Sequence, residues 1–265
     1  MLDREILDLM PKRIQVTTSE DEADSSANIL LDDALAREVG KGIRPPTVRV
    51  WRHTAVRGLV VSKRDAAGEA GERAVQLMAD EGCPIIVRHT GGTAVPHGEG
   101  VLNLSFLLPR QTQQVSTDSY YQLLCQPLLD WLRGMGLTEV ATGALPGSYC
   151  DGNYNVLVDG QKLVGTAQAW RGGLAGTASK HPGYVLAHAC IVIDVDFAWA
   201  TAAINRFYSE IGDPYRVEEA TSTSLLALLR QHRLATDYDA RCAQRDLVRF
   251  LQRYYTEQGI QVDLS

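Results

Sequence analysis

Cys150 and Lys162 are the residues of this chain whose types and spacing could do covalent chemistry. The cysteine lies in Gly147-Ser148-Tyr149-Cys150-Asp151-Gly152-Asn153-Tyr154-Asn155, where bracketing glycines and the turn formers Asp151 and Asn153 predict a loop. The lysine opens Lys162-Leu163-Val164-Gly165-Thr166-Ala167-Gln168. A thiol near an ammonium group suits acyl transfer through a thioester. The cation favours thiolate, and an acyl carbonyl can sit between the two groups. Each residue also has a plainer reading. A free cysteine usually behaves as a small buried hydrophobe, and most lysines are solvated. The loop setting argues for an accessible thiol. The small, apolar run behind Lys162 argues for a buried strand, where a lysine needs a partner or a ligand.

The elements that must position this pair are legible nearby. Asp159-Gly160 is the sharpest two-residue hairpin signal in the chain, between strands at 154–158 and 162–167. With Val158 facing Gln161, Lys162 stands opposite Leu157 and shares a face with Asn155 and Asn153, which leads back toward Cys150. A second run, Arg88-His89-Thr90-Gly91-Gly92-Thr93-Ala94-Val95-Pro96-His97-Gly98, follows a short apolar strand at 84–88. Adjacent glycines let backbone amides approach a phosphate or an acyl oxygen, although a Gly-Gly pair alone is only a tight turn. Neither a Walker nor a dinucleotide spacing is present. His188 ends a strand-like run at 184–190 and reads as a hydrogen-bonded core histidine or a catalytic base. His53, His181 and His232 carry no informative spacing, and no metal-ligand set is found.

Further strands are predicted at 47–51, 58–61, 101–106 and 185–195. Helices are predicted at 28–38, 69–81, 117–135 (with Pro127 a candidate kink), 197–209, 222–232 and 239–257. The polar, acidic stretch 17–26 reads as a loop, and 236–265 as a charged helical extension without an assigned role. The fold class is mixed α/β (α+β), with largely antiparallel sheets flanked by helices, in a single domain over 1–265.

At 265 residues, 45% hydrophobic and 22% charged, the chain can bury a full core without disulfides or metal. A net charge of -6 lacks the basic footprint of a nucleic-acid binder. Five cysteines, an odd number without a CxxC pair, argue against a zinc ribbon or disulfide framework and fit a reducing compartment. With no secretory signal and no 18-residue apolar run, neither membrane nor export is expected, and the cytoplasm is the default location.

RHTGGTAVPH and DGQKLVGTAQ together resemble the substrate loop and the lysine segment of the biotin/lipoate protein ligase and lipoyl-transferase superfamily. The order of elements over most of 25–235 is also similar. GSYCDGNYN most resembles the cysteine-dependent octanoyltransferases of lipoate assembly. The resemblance implies a class II synthetase-like catalytic domain, with Cys150 as the acyl carrier and Lys162 as the family lysine. It implies substrate-binding roles for Arg88, Thr90, Gly91, Gly92, Thr93, Ala94, His97, Tyr154, Asn155, Gly165, Thr166, Ala167 and His188. The implied donor is an octanoyl- or lipoyl-carrying protein, either glycine cleavage H protein (GcvH) or an acyl carrier protein. The implied acceptor is the lipoyl domain of an E2 subunit. Asp151 and Asn155 stand where the family often has proline and aspartate. The ATP-using ligases carry an Asn-Asp pair at Tyr154-Asn155, so its lack disfavours adenylation. No cofactor is then required; ATP and magnesium enter only if the chain is an ATP-dependent lipoate ligase. A non-catalytic acyl-binding protein is the other alternative.

Overall fold

The computed structural model describes residues 3–21, 25–53, 57–111, 115–173 and 183–265, so His181 lies outside the described residues. The elements run α1 (Arg4–Leu7), β1 (Arg13–Asp21), α2 (Ser25–Gly40), β2 (Thr47–His53), β3 (Gly58–Ser62), α3 (Gly68–Asp80), β4 (Ile85–Arg88), β5 (Val95–His97) and β6 (Val101–Pro109). They continue as α4 (Thr117–Gly134), β7 (Val140–Gly143), β8 (Asn155–Val158), β9 (Gln161–Arg171), β10 (Tyr184–Val192), α5 (Phe197–Glu210), α6 (Leu225–Gln231), α7 (Ala240–Glu257) and β11 (Gln261–Leu264). An eight-stranded sheet has the order β11-β1-β2-β6-β10-β9-β8-β7, and a three-stranded sheet the order β4-β3-β5. In the large sheet β11–β1 and β1–β2 are parallel and the remaining pairings antiparallel. The mixed, largely antiparallel α/β architecture read from the sequence is the one the chain builds.

Side chains alternate across a strand with period two, and here the alternation separates two environments. Val48 and Val50 of β2, Leu102, Leu104 and Phe106 of β6, and Val185, Ala187, Ala189 and Ile191 of β10 point into the main core. There they meet Leu123, Leu124 and Leu128 of α4 and Leu247, Leu251 and Tyr255 of α7. The other face carries small and polar residues in register. One row runs Gly165, Cys190, Asn103, Trp51, and the next runs Ala167, His188, Ser105, Arg49. Over this face lie α2 and the small sheet.

Two expectations change. The acidic loop expected at 17–26 is strand through Asp21, with α2 starting at Ser25. Thr17 and Thr18 favour a strand through β-branching, and the parallel ladder to β2 (Thr17↔Arg49, Ser19↔Trp51) satisfies their backbone. The region 236–265 is not helical throughout: after α7, β11 pairs with β1, Arg13↔Gln261 to Val16↔Leu264. Helix α7 buries Ala243, Leu247, Leu251 and Tyr255, a stripe at helical spacing. Pro127 lies inside α4 and is buried in it.

Candidate active site

Cys150 sits where β8 stops short. Strand β8 pairs with β9 only over Gln161–Val164, while β9 continues to Arg171. The loop 144–154 lies beside that free length. The turn Asp159-Gly160 closes the hairpin with φ of 51° and 77°, and Lys162 stands opposite Leu157 as the register argument predicts. A bulge between Val156 and Leu157 then shifts the register.

The loop is held from three directions. Cys150 itself has φ 50°, a left-handed backbone that costs a non-glycine residue about 1–2 kcal/mol. Its backbone N–H donates to the Thr93 Oγ1 at 2.7 Å, Thr93 donates to the Tyr215 hydroxyl at 3.1 Å, and Tyr215 donates to the Ser148 carbonyl at 2.8 Å. The glycine loop and the cysteine loop are thus clasped through one tyrosine. From below, the Lys162 Nζ donates to the Tyr149 carbonyl and, at 3.0 Å, to the Cys150 carbonyl. The same ammonium lies 4.3 Å from the Tyr149 ring centroid. Lys162 is fully buried. Burial pushes its pKa down to about 8, and Cys150 is the largest of the groups that pull it back up.

Arg88 shapes the glycine loop from within. Its guanidinium donates to the carbonyls of Val60 (2.9 Å), Gly91 (2.9 Å) and Thr93 (2.7 Å), so its donors face backbone. Gly92 has φ 94°, and a Cβ there would overlap the Cys150 Sγ and stand 3.0 Å from an Arg88 nitrogen. The sulfur therefore rests directly on the Gly92 backbone. Gly91 is exposed beside it, and the Ala94 N–H donates to the Tyr208 hydroxyl at 2.8 Å.

Behind the sulfur a narrow cavity of about 40 Å³ runs between the two sheets. Its floor is the register row of Gly165, Cys190, Asn103 and Trp51, with Ala167 and His188 beside it, and its roof holds Val60, Val95, Pro96, His97 and Ile29. Three strand steps at about 4.8 Å make the row about 14 Å long, enough for an extended eight-carbon chain. Such a chain must part the walls as it enters. A wider cleft of about 820 Å³ shares only Pro96 and His97 with this cavity and does not reach Cys150, so the chemistry is placed at the narrow one.

Of the residues singled out from the sequence, Cys150, Arg88, Gly92, Thr93, His97, Gly165, Thr166, Ala167 and His188 meet at this cavity or its mouth. His188 contacts the Thr90 Oγ1 at 2.8 Å, and burial lowers its pKa to about 3, which keeps the ring neutral. His97, in the cavity's roof, stacks on His53 at 4.9 Å, with its pKa lowered to about 3 by burial and then by His53. Tyr154 stacks on Tyr121, and Asn155 is buried at the start of β8. Tyr149, Tyr215, Tyr121, Cys190 and the Trp51–Asn103 floor join the site without a sequence motif that assigns them to it. Tyr149 was within the motif but without a role. The others follow from strand register and from loops distant in sequence.

Residues 24–244 match the family model of the lipoyl protein ligase A/B catalytic domain. The chain is 40% identical over 200 residues to an octanoyl-GcvH:protein N-octanoyltransferase of Kyrpidia tusciae, covering 75% of this chain and 68% of that protein. It is 35% identical over 153 residues to the protein of the same name from Bacillus velezensis, covering 57% of this chain and 52% of that one. The matches thus span between about half and two thirds of these relatives' own length. A crystal structure of lipoate-protein ligase A bound with ATP superposes with a TM-score of 0.69 at 18% identity, covering 96% of this chain and 87% of that one. That likeness is one of fold.

Proposed function

The chain belongs to the lipoyl protein ligase A/B catalytic domain family, and we propose that within it this protein is an acyltransferase of protein lipoylation that carries an octanoyl or lipoyl group as a thioester on Cys150. The observation that carries the reading is the sulfur's seat on Gly92 at the head of a cavity between the sheets, in electrostatic reach of a buried ammonium.

The reaction is a ping-pong acyl transfer. The Cys150 sulfur gives up its proton as it attacks the acyl carbonyl of the donor; the C–N bond of an octanoyl-lysine amide breaks, and the departing amine takes up that proton. Lys162 has three donors, two of them engaged by the carbonyls of Tyr149 and Cys150. The third serves the oxyanion, a contact of the kind worth roughly 3 kcal/mol of barrier. The Cys150 N–H cannot share that task while Thr93 holds it. The acyl chain lies along the floor row, where each buried CH₂ contributes about 0.8 kcal/mol before ordering costs. A lysine of the acceptor then attacks the thioester and releases the thiol. The names of the relatives support GcvH as donor, and the lipoyl domain of an E2 subunit is the proposed acceptor. The route calls for no ATP or magnesium.

Intact mass after mixing the protein with octanoylated GcvH, without ATP, tests the reading. A hydroxylamine-sensitive octanoyl adduct that is absent from Cys150→Ala is the expected result. An acyl-adenylate formed from free lipoate and ATP, with no adduct from any octanoyl donor, would make the chain a ligase. Acyl binding with neither product would make it a binding protein.

A further inference from the structure

Tyr121 of α4 and Tyr154 stack face to face, ring centroids 4.8 Å apart and 7° from parallel. Both are half-buried. They stand at the length of β9 that β8 leaves unpaired, beside the exposed turn Asp151–Asn153. The pair is held in place. The Tyr154 carbonyl accepts from the Thr166 Oγ1 at 2.9 Å, and Thr166 lines the cavity behind Cys150. Burial and the nearby Asp118 carboxylate push the Tyr154 hydroxyl above its ordinary pKa. Gln168 of the same β9 segment donates to the Thr117 carbonyl at the start of α4 and accepts from the Trp170 indole, each at 2.9 Å. Tyr121 is also within electrostatic range of the Cys150 sulfur. With the acyl chain laid along the floor row, the thioester carbonyl has hydrocarbon on its inner side, so the second nucleophile must come from the outer side. On that side stand the tyrosine pair, whose outer ring surface is left for a cation, and the carboxylates of Asp118 and Asp151 in the neighbouring α4 and cysteine loop.

We propose that the stacked Tyr121–Tyr154 pair is the port by which the acceptor's lysine side chain reaches the acyl group, with Tyr121 selecting a cationic amine over neutral nucleophiles. The inference rests on the acyltransferase reading. The lysine arrives as an ammonium and gives one proton to water at the mouth. Its nitrogen lone pair forms the new C–N bond, the C–S bond breaks, and the second nitrogen proton goes to the Cys150 sulfur. The products are the amide, the free thiol and one proton in solvent.

The test separates the half-reactions. Wild-type, Tyr121→Leu and Tyr121→Phe proteins are loaded with the octanoyl thioester of N-acetylcysteamine and followed by intact mass. Each is then mixed with Nα-acetyl-lysine methylamide or with neutral hydroxylamine. The leucine variant is expected to load normally, to lose about tenfold in transfer to the lysine amide, and to keep its hydroxylamine rate within about twofold; phenylalanine, which keeps the ring face, restores most of the lysine rate. In the wild type, Nα-acetyl-arginine methylamide should inhibit transfer to lysine and leave hydroxylamine cleavage alone. Equal loss toward both nucleophiles, no loss toward either, or no inhibition by the arginine amide overturns the port. Failure of the wild type to load on Cys150, from this thioester or from octanoylated GcvH, instead overturns the acyltransferase reading beneath it.

Discussion

The Cys150 sulfur lies against a residue with no side chain, and this contact distinguishes two glycines that look alike in the motifs. A methyl at Gly92 overlaps the sulfur and must also adopt φ 94°. Gly92→Ala is expected to abolish the Cys150 adduct and to destabilise the fold by about 1–2 kcal/mol, read by intact mass and urea unfolding. A methyl at Gly165 meets the Lys162 Nζ at 3.4 Å, an ordinary contact. Gly165→Ala is expected to retain the adduct, with loading slowed less than tenfold. Lys162 leads to a pH prediction. Burial brings its pKa down to about 8, so its charge is lost as pH rises through 8 rather than near the ordinary 10.5. Single-turnover acylation of Cys150 should therefore fall above about pH 8. Lys162→Met should be slow and show no such descending limb. A wild-type rate that stays flat to pH 10 would contradict the role given to that ammonium.

Hairpin β8–β9 shows what the sequence makes legible and where that stops. Asp159-Gly160 fixes the turn, the turn fixes Lys162 opposite Leu157, and period-two alternation does the rest. The bulge between Val156 and Leu157 has no comparable local signal, and the short strands β5, β7 and β11 go unread in the sequence. At the site, Cys150, Lys162 and the glycine loop could be read because their chemistry is compressed into two contiguous motifs. The floor could not, because Gly165, Cys190, Asn103 and Trp51 become neighbours only once four strands settle in register. Tyr215 was hidden for the same reason, 65 positions beyond Cys150 in the loop after α5. Its hydroxyl joins Thr93 to the Ser148 carbonyl. Tyr215→Phe removes that link at a net cost of about 1 kcal/mol. Loading of Cys150 should slow several-fold, with acyl binding in Cys150→Ala unchanged by the added Tyr215→Phe.

Across the whole molecule the polar face sits within the fold, and acid should expose the consequence. His97 and His188 are held neutral, each with a folded pKa of about 3 against an ordinary 6.5. Between those values the unfolded chain binds more protons than the folded one, so stability rises with pH across the window and is lost as pH falls from 6.5 toward 3. Above pH 5 most carboxylates are silent, so urea midpoints between pH 5 and 6.5 read the histidines, each contributing up to about 1.4 kcal/mol per pH unit. His188→Gln should remove one proton's worth of that slope; an unchanged slope would mean that His188 is protonated in the fold. The parallel run β2–β1–β11 has a consequence for biosynthesis. Residues 13–16 are made well before residues 261–264 and have a partner for their outer edge only when those follow. Until then that edge offers unpaired amides and carbonyls to any neighbouring nascent chain. The strands around the thiol can close on one another well before the sheet is sealed at its rim, so holding the polypeptide until residues 261–264 are made protects the rim rather than the thiol's surroundings.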